Sequence, residues 1–284
     1  MTKKQSALLR IILFSLALLV LVAGALVLYL FHSFTFSGSQ EIITTELGES
    51  SFSAGDFDSI EIDWASGTIT LSPNAQLTDT ITVREAGSED AEKMQLHRAG
   101  RTLQIQFCKN ATSIFGITSL KDATKDLYIE VPLDWVCNEL TVNAASTAVD
   151  VTDMEIEEVE FDLASGDLNM DTCKVRSLAV ETASGTLIFK GELEELDCDA
   201  ASADCNIQVT NHPRKIEFNS VSGDLELTLP ESCGFSVEQD GLDVSLNSDF
   251  PTTTQDGRHI YGDGSCKIEA DSVSGDISIH KLNP

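Results

Sequence analysis

Residues 159–170 read VEFDLASGDLNM, residues 171–177 DTCKVRS and residues 178–189 LAVETASGTLIF, so one twelve-residue phrase is written twice around a short connector. Numbered from its first apolar residue, the phrase recurs from Ile60, Leu140, Val159, Leu178, Leu196, Ile216, Phe235 and Ile268. From Leu140 to Phe235 the starts fall 18 to 20 residues apart, with a longer insertion before Ile268. Self-similarity at a short fixed period is the mark of a stacked repeat.

Inside the phrase the first and third positions are apolar (Val159 and Phe161, Leu178 and Val180, Ile216 and Phe218), as are the tenth and twelfth (Leu168 and Met170, Leu187 and Phe189, Leu225 and Leu227). Acids, amides and threonines alternate with them. A period of two with one apolar face predicts two short strands per unit. Between the strands comes a small apolar residue, then Ser, Gly, and Asp or Thr, as at Ala164–Asp167 and Val221–Asp224. Gly permits positive φ, and Ser and Asp bond nearby backbone, so this is a corner. Thr147 and Ala203 replace the Gly at two of the corners.

A single unit buries too few apolar side chains to offset the backbone entropy of its residues. Stacking the units about 4.8 Å apart lets each strand pair with its equivalents above and below. The fold expected is therefore all-β, a parallel β-solenoid of about 19-residue turns with two sheets facing each other across an apolar interior. A sandwich of antiparallel hairpins also shows the alternation, although it does not require the same corner to return at every period.

Lys3, Lys4 and Arg10 precede an uncharged run from Ile11 to Phe31. At 1.5 Å per residue a helix over 11–31 spans a bilayer's hydrocarbon core. The early positive charge puts residues 1–10 in the cytoplasm as a tail and the rest of the chain outside the cell membrane, which it crosses once. Ala23, Gly24 and Ala25 also resemble a signal-peptide cleavage site, the alternative to a retained anchor; with Ala25 where a cysteine would have to stand, lipid attachment there is excluded. Residues 32–55 are expected to be a linker, and 56–284 the repeat domain. Within it, 56–139 are irregular turns, with a helical turn near Ser88–Met94, and 140–284 are regular turns interrupted at 247–265. His280, Lys281 and Pro284 follow the final strand, where they would discourage pairing at an open sheet edge.

The protein has 46 Asp and Glu against 18 Lys and Arg. With three of the cations ahead of the apolar run, the remainder sets 15 cations against all 46 acids, a formal charge of −31. Such a field opposes nucleic acid and favours cations or basic partners. The fourth position of the phrase gives Asp63, Asn143, Asp162, Glu181, Asp199, Asn219 and Asp271; the ninth gives Asp167, Thr186, Asp204, Asp224 and Asp276. Stacked turns would make columns of these. Carboxylates about 4.8 Å apart repel by about 1 kcal/mol in water and by several near a protein surface. Asp162, Glu181 and Asp199 are therefore the candidate metal ligands, for Ca²⁺, whose preferred donors are oxygens; hydrated acids with raised pKa values are the alternative.

No catalytic constellation is visible. The histidines at 32, 97, 212, 259 and 280 have no metal-ligand spacing, and the corner serines have no neighbouring base in the repeat. Stacked acids with Ca²⁺ also serve polysaccharide-cleaving β-helices, but those reactions want a cation beside the carboxylates. Lys174, Arg176, Lys190, Arg214 and Lys215 instead fall in connectors. The chain is expected not to be an enzyme. Of seven cysteines, Cys198 and Cys205 occupy the third and tenth positions of one turn and could meet across the interior as a disulfide or as small buried thiols.

The recurring SGD or SGT corner, LYIEVP at 127–132 and IYGDGSCKIEADSVSGDISI at 260–279 resemble the bacterial β-strand-repeat domains labelled adhesins, a family of unknown function that includes LiaG-like membrane-anchored proteins. The likeness covers about 55–284. It implies a β-solenoid outside the cytoplasmic membrane, often in envelope-stress settings, and supplies no catalytic residues. On that basis two functions are expected as alternatives: a non-catalytic surface-binding module of the envelope, or a regulatory subunit of a sensing system.

Overall fold

The structure, a computed structural model, describes residues 41–42, 49–87, 93–108 and 124–282. The expected membrane helix at 11–31 and most of the expected helical turn at Ser88–Met94 lie outside the described residues. The described chain is all-β apart from one 3₁₀ turn at Ala54–Asp56. Its strands are β1 (Glu41–Ile42), β2 (Glu49–Ser53), β3 (Ser59–Pro73), β4 (Thr80–Gly87), β5 (Gln95–Ala99), β6 (Thr102–Gln106), β7 (Lys125–Val131) and β8 (Cys137–Thr152). There follow β9 (Glu155–Ser165), β10 (Leu168–Val209), β11 (Lys215–Ser222), β12 (Leu225–Leu229), β13 (Phe235–Ser248), β14 (Thr253–Gln255), β15 (Arg258–Tyr261) and β16 (Cys266–Lys281).

Equivalent positions of successive phrases are parallel pairing partners. Ile60 faces Leu140, Leu140 faces Val159, and Val159 faces Leu178; Leu196 faces Ile216, and Ile216 faces Ile268. The second strands follow suit, Ile69 with Val149, Val149 with Leu168, and Leu225 with Ile277. Strand pairing continues through the corners, which is why β10 runs for 42 residues. First, third, fifth, tenth and twelfth positions point into one continuous core, including Phe161, Phe189 and Phe218.

The corner glycine is fixed by two constraints at once. Gly166 has φ +139, and a Cβ placed on it would lie 1.9 Å from the carbonyl oxygen of Thr147, the corner residue one turn away. A side chain there meets backbone that the ladder holds in place, so close stacking and the left-handed turn both select Gly.

At three places the architecture departs from a simple sequential stack. First, the turns are not laid down in chain order: β16 lies between β11–β12 on one side and β13 on the other. The unit expected to begin at Phe235 begins at Val237, the partner of Ile268, while Phe235 faces Cys266. The reversal is made by the insertion, whose β14–β15 hairpin pairs β15 with β13 and covers the outer edge of that strand over Phe235–Val237. His280 and Lys281, expected to guard an open edge, pair instead with Thr228 and Leu229 of β12, and Lys281 also pairs with Glu231 at 2.7 Å.

Second, the stretch expected to form irregular turns builds arms on one end of the stack. β6 and β7 lie parallel to the two halves of β3. β5 pairs antiparallel to β6, and β4 antiparallel to β7. Third, residues 49–53, assigned to a linker from sequence, form β2 against β4. Repeat spacing cannot reveal antiparallel additions, because their registers are set by local turns.

Candidate functional site

With odd positions of the first strand facing the core, its second and fourth positions face out, and the register lines them up in two columns. One runs Glu61, Thr141, Glu160 and Ala179, then Asp197, Glu217, Glu269 and Glu238. The other runs Asp63, Asn143, Asp162 and Glu181, then Asp199, Asn219 and Asp271. Asp162 and Glu181 are direct partners, and the charge of Asp199 bears on Glu181. The three residues singled out from sequence thus share one column.

Burial, and then crowding, raises the proton affinity of four of these acids. Burial, then Glu181 and Glu160, push the Asp162 carboxyl up to about 6. Asp63 is also pushed up to about 6, by burial first, against the hydrogen bond it accepts from Asn143. Glu181 and Asp197 are raised by burial and by Asp199. Amides interrupt the charge: Asn143 Nδ2 donates to Asp63 Oδ1 at 3.0 Å, and Asn219 Nδ2 to Asp199 Oδ1 at 2.9 Å. Gln104 Nε2 does the same for Glu61 Oε2 at 2.7 Å.

Cations approach the face at its margin. Lys215, placed in a connector from sequence, opens β11 and bonds Glu217. Three of the other four connector cations pair with acids of a neighbouring turn: Lys174 with Glu155 at 2.8 Å, Arg176 with Glu157 at 2.8 Å and also with Glu158, and Arg214 with Glu195 at 2.7 Å; Lys190 lies within β10. The charge of these three is thus compensated locally, while the two columns keep most of theirs.

The ninth-position acids do different work. Asp167 Oδ1 accepts from the Thr186 amide at 3.0 Å, Asp204 from the Asp224 amide at 3.0 Å, and Asp224 from the Asp276 amide at 2.7 Å. Each carboxylate satisfies the amide just past a corner, where the glycine's conformation interrupts the ladder. These acids build the corner, and the phrase could not distinguish them from the outer columns.

Among the described residues no group of three or more His, Cys, Asp and Glu is arranged to hold a metal ion. Asp162, Glu181 and Asp199 are spaced along the ladder and do not converge on one point. The four described histidines lie on separate segments: His97 is in β5, His212 meets Ser232 at 2.9 Å, His259 meets Thr254 at 3.4 Å and His280 meets Asp249 at 3.0 Å. Ser165 Oγ donates to the Ala145 carbonyl at 3.2 Å, a corner bond. Cys198 and Cys205 do face each other, with Sγ atoms 3.4 Å apart.

One constellation was missed from sequence. Lys125, only 2% exposed, closes the end of the core beneath β3, its Nζ 2.8 Å from Glu85 Oε2 and bonded to the Phe107 carbonyl. The ammonium lies 4.2 Å from the Phe107 ring centroid and 5.2 Å from that of Trp64, whose Nε1 donates to the Lys125 carbonyl at 2.9 Å. Desolvation pulls the lysine pKa down and Glu85 opposes it. The signal was parity: Lys125 stands two residues before the inward-facing Leu127.

A family model described as Toastrack DUF4097 matches residues 57–280. No protein of curated function matches the sequence. Among solved structures, a candidate adhesin of Bacteroides fragilis is 13% identical, with 84% of this chain and 98% of that one covered at a TM-score of 0.46. A candidate cell adhesion protein of Clostridium sporogenes is also 13% identical, covering 82% and 99% at a TM-score of 0.37. A candidate lipid binding protein of Parabacteroides distasonis is 15% identical, covering 87% and 98% at 0.35.

Proposed function

The chain belongs to the Toastrack DUF4097 family, and from that premise we propose that it is a non-catalytic, membrane-anchored β-solenoid holding an acidic sheet face outside the cell, an adhesin-like binding module of the envelope. The observation that carries this reading is the pair of outward columns, whose acids keep the register over successive turns; burial first, and then the neighbouring acids, raise Asp162, Glu181 and Asp197. A rigid ladder of like charges about 4.8 Å apart suits a basic, extended partner: its cations relieve repulsion that the fold otherwise bears. The apolar run 11–31, preceded by Lys3, Lys4 and Arg10, supports single-pass anchoring with the repeat domain outside.

Two measurements test the reading. Poly-L-lysine should bind the full chain with an affinity that falls steeply with salt. The variant E160Q/D162N/E181Q/D197N/D199N should lose at least tenfold of it while melting cooperatively; undiminished binding by that variant would refute the acidic face as the site. Protease added to intact cells should digest the repeat domain, and protection of that domain would refute the topology.

A further inference from the structure

We propose that Cys233 and Cys266 are joined by a disulfide bond that fixes the out-of-order last turn of the stack, and that Cys198 and Cys205 form a second bond across the interior. Cys233 lies just before β13 and Cys266 opens β16, the two strands whose order in the stack is reversed relative to the chain. Cys266 is the pairing partner of Phe235, two residues on from Cys233, and its amide donates to the Gly234 carbonyl at 3.0 Å, so the two cysteines lie side by side in neighbouring strands; both are fully buried, and each thiol bears on the ionisation of the other. Between them the chain makes β13 and the whole β14–β15 hairpin, so one covalent link closes the loop that performs the reversal. The second pair rests on its own observation, the 3.4 Å separation of Cys198 and Cys205 Sγ within a single turn. Cys137 and Cys173 direct their thiols at backbone carbonyls, of Glu139 at 3.3 Å and Val151 at 3.5 Å; the Cys233 thiol meets the Gly234 carbonyl at a longer 3.8 Å.

Each bond forms with an oxidant of the disulfide class, for which oxidised glutathione serves as the probe. A protein thiolate displaces one glutathione thiolate to give a mixed disulfide, and the second protein thiolate displaces the other. Two protein thiols lose two protons and two electrons, and two molecules of glutathione are released. In the folded chain all four sulfurs belong to fully buried residues, which keeps glutathione from reaching them. The exchange therefore belongs to folding, before the last turns close over the sulfurs. Membrane anchoring is not required, so the inference stands or falls apart from the proposed function.

The full chain, reduced and denatured, is refolded with reduced and oxidised glutathione, alkylated with iodoacetamide in denaturant, and digested with trypsin without reduction. Peptide 216–258 should be found linked to 259–267, and peptide 191–214 should carry both its cysteines unalkylated and two hydrogens light. C233S should abolish the first signature and keep the second; C198S should do the reverse. Reduction should lower the melting temperature of the wild type by about 5–10 °C. Recovery of Cys233 and Cys266 fully alkylated from a cooperatively melting, oxidatively refolded chain would overturn the first bond, as would linkage of either to another cysteine. The same result at Cys198 and Cys205 would overturn the second.

Discussion

Replacing Asp162 by Asn should stabilise the protein at neutral pH and do little in acid. Its neighbours in the column indicate that an amide fits there, since Asn143 and Asn219 occupy equivalent positions and donate to Asp63 and Asp199. In the folded chain the carboxyl is pushed from 3.8 to about 6 by burial, Glu181 and Glu160. Below pH 3.8 it is protonated whether the chain is folded or not, and it contributes nothing. Between 3.8 and about 6 the folded chain keeps a proton that the unfolded chain has lost, so stability falls as pH rises, and above about 6 the full penalty is present. The displacement corresponds to about 3 kcal/mol; solvent screening of a half-buried carboxylate reduces this to about 1–2 kcal/mol. Removing the charge should raise the melting temperature at pH 7.5 by about 3–6 °C, with the gain shrinking toward zero near pH 4. Thermal melts of the full chain followed by circular dichroism at both pH values measure it. An equal gain at the two, or a lower melting temperature for Asp162→Asn at pH 7.5, would refute the electrostatic account of the column.

Gly166→Ala should cost about 3 kcal/mol or more in urea denaturation, because the new Cβ meets the Thr147 carbonyl. Gly257→Ala, also at positive φ but with open space around it, should cost only about 1–2 kcal/mol; equal losses would remove stacking from the explanation. Lys125→Met should lose about 3 kcal/mol by leaving buried Glu85 with only the more distant Lys93, 3.6 Å away, for a cation, and Lys125→Met with Glu85→Leu should recover most of it. Were the double variant no better than the single, the pair would matter for its shape and not its charge. Calcium and sodium chlorides at equal ionic strength should raise the melting temperature equally, since the column does not converge on one ion; a clearly larger rise with calcium would show coordination by Asp162, Glu181 and Asp199.

Much of the fold was legible because a strand pattern and a stacking register are written in the same residues. Val159 and Phe161 declare an inward face, and Ser165–Gly166–Asp167 a corner. Repetition then sets Asp162 beside Glu181, since side chains in a parallel ladder must superpose once their backbones pair. The candidate face was legible for that reason. Its limits were not: Asp167, Asp204 and Asp224 carry the same charge as the outer columns, yet are consumed by corner amides whose direction depends on the bend of the chain.

The sequence alone determined which side chains face in, where the chain bends, and that equivalent positions stack, because those follow from alternation and from a glycine that only a tight corner requires. Tertiary structure decided which copy lies against which. Units built on Ile216, Val237 and Ile268 present nearly the same apolar edge, so pairing energy scarcely distinguishes their order. The choice falls to contacts that no repeat encodes: the hairpin over β13, the thiols of Cys233 and Cys266, and, at the other end, Lys125 with Glu85 closing the core.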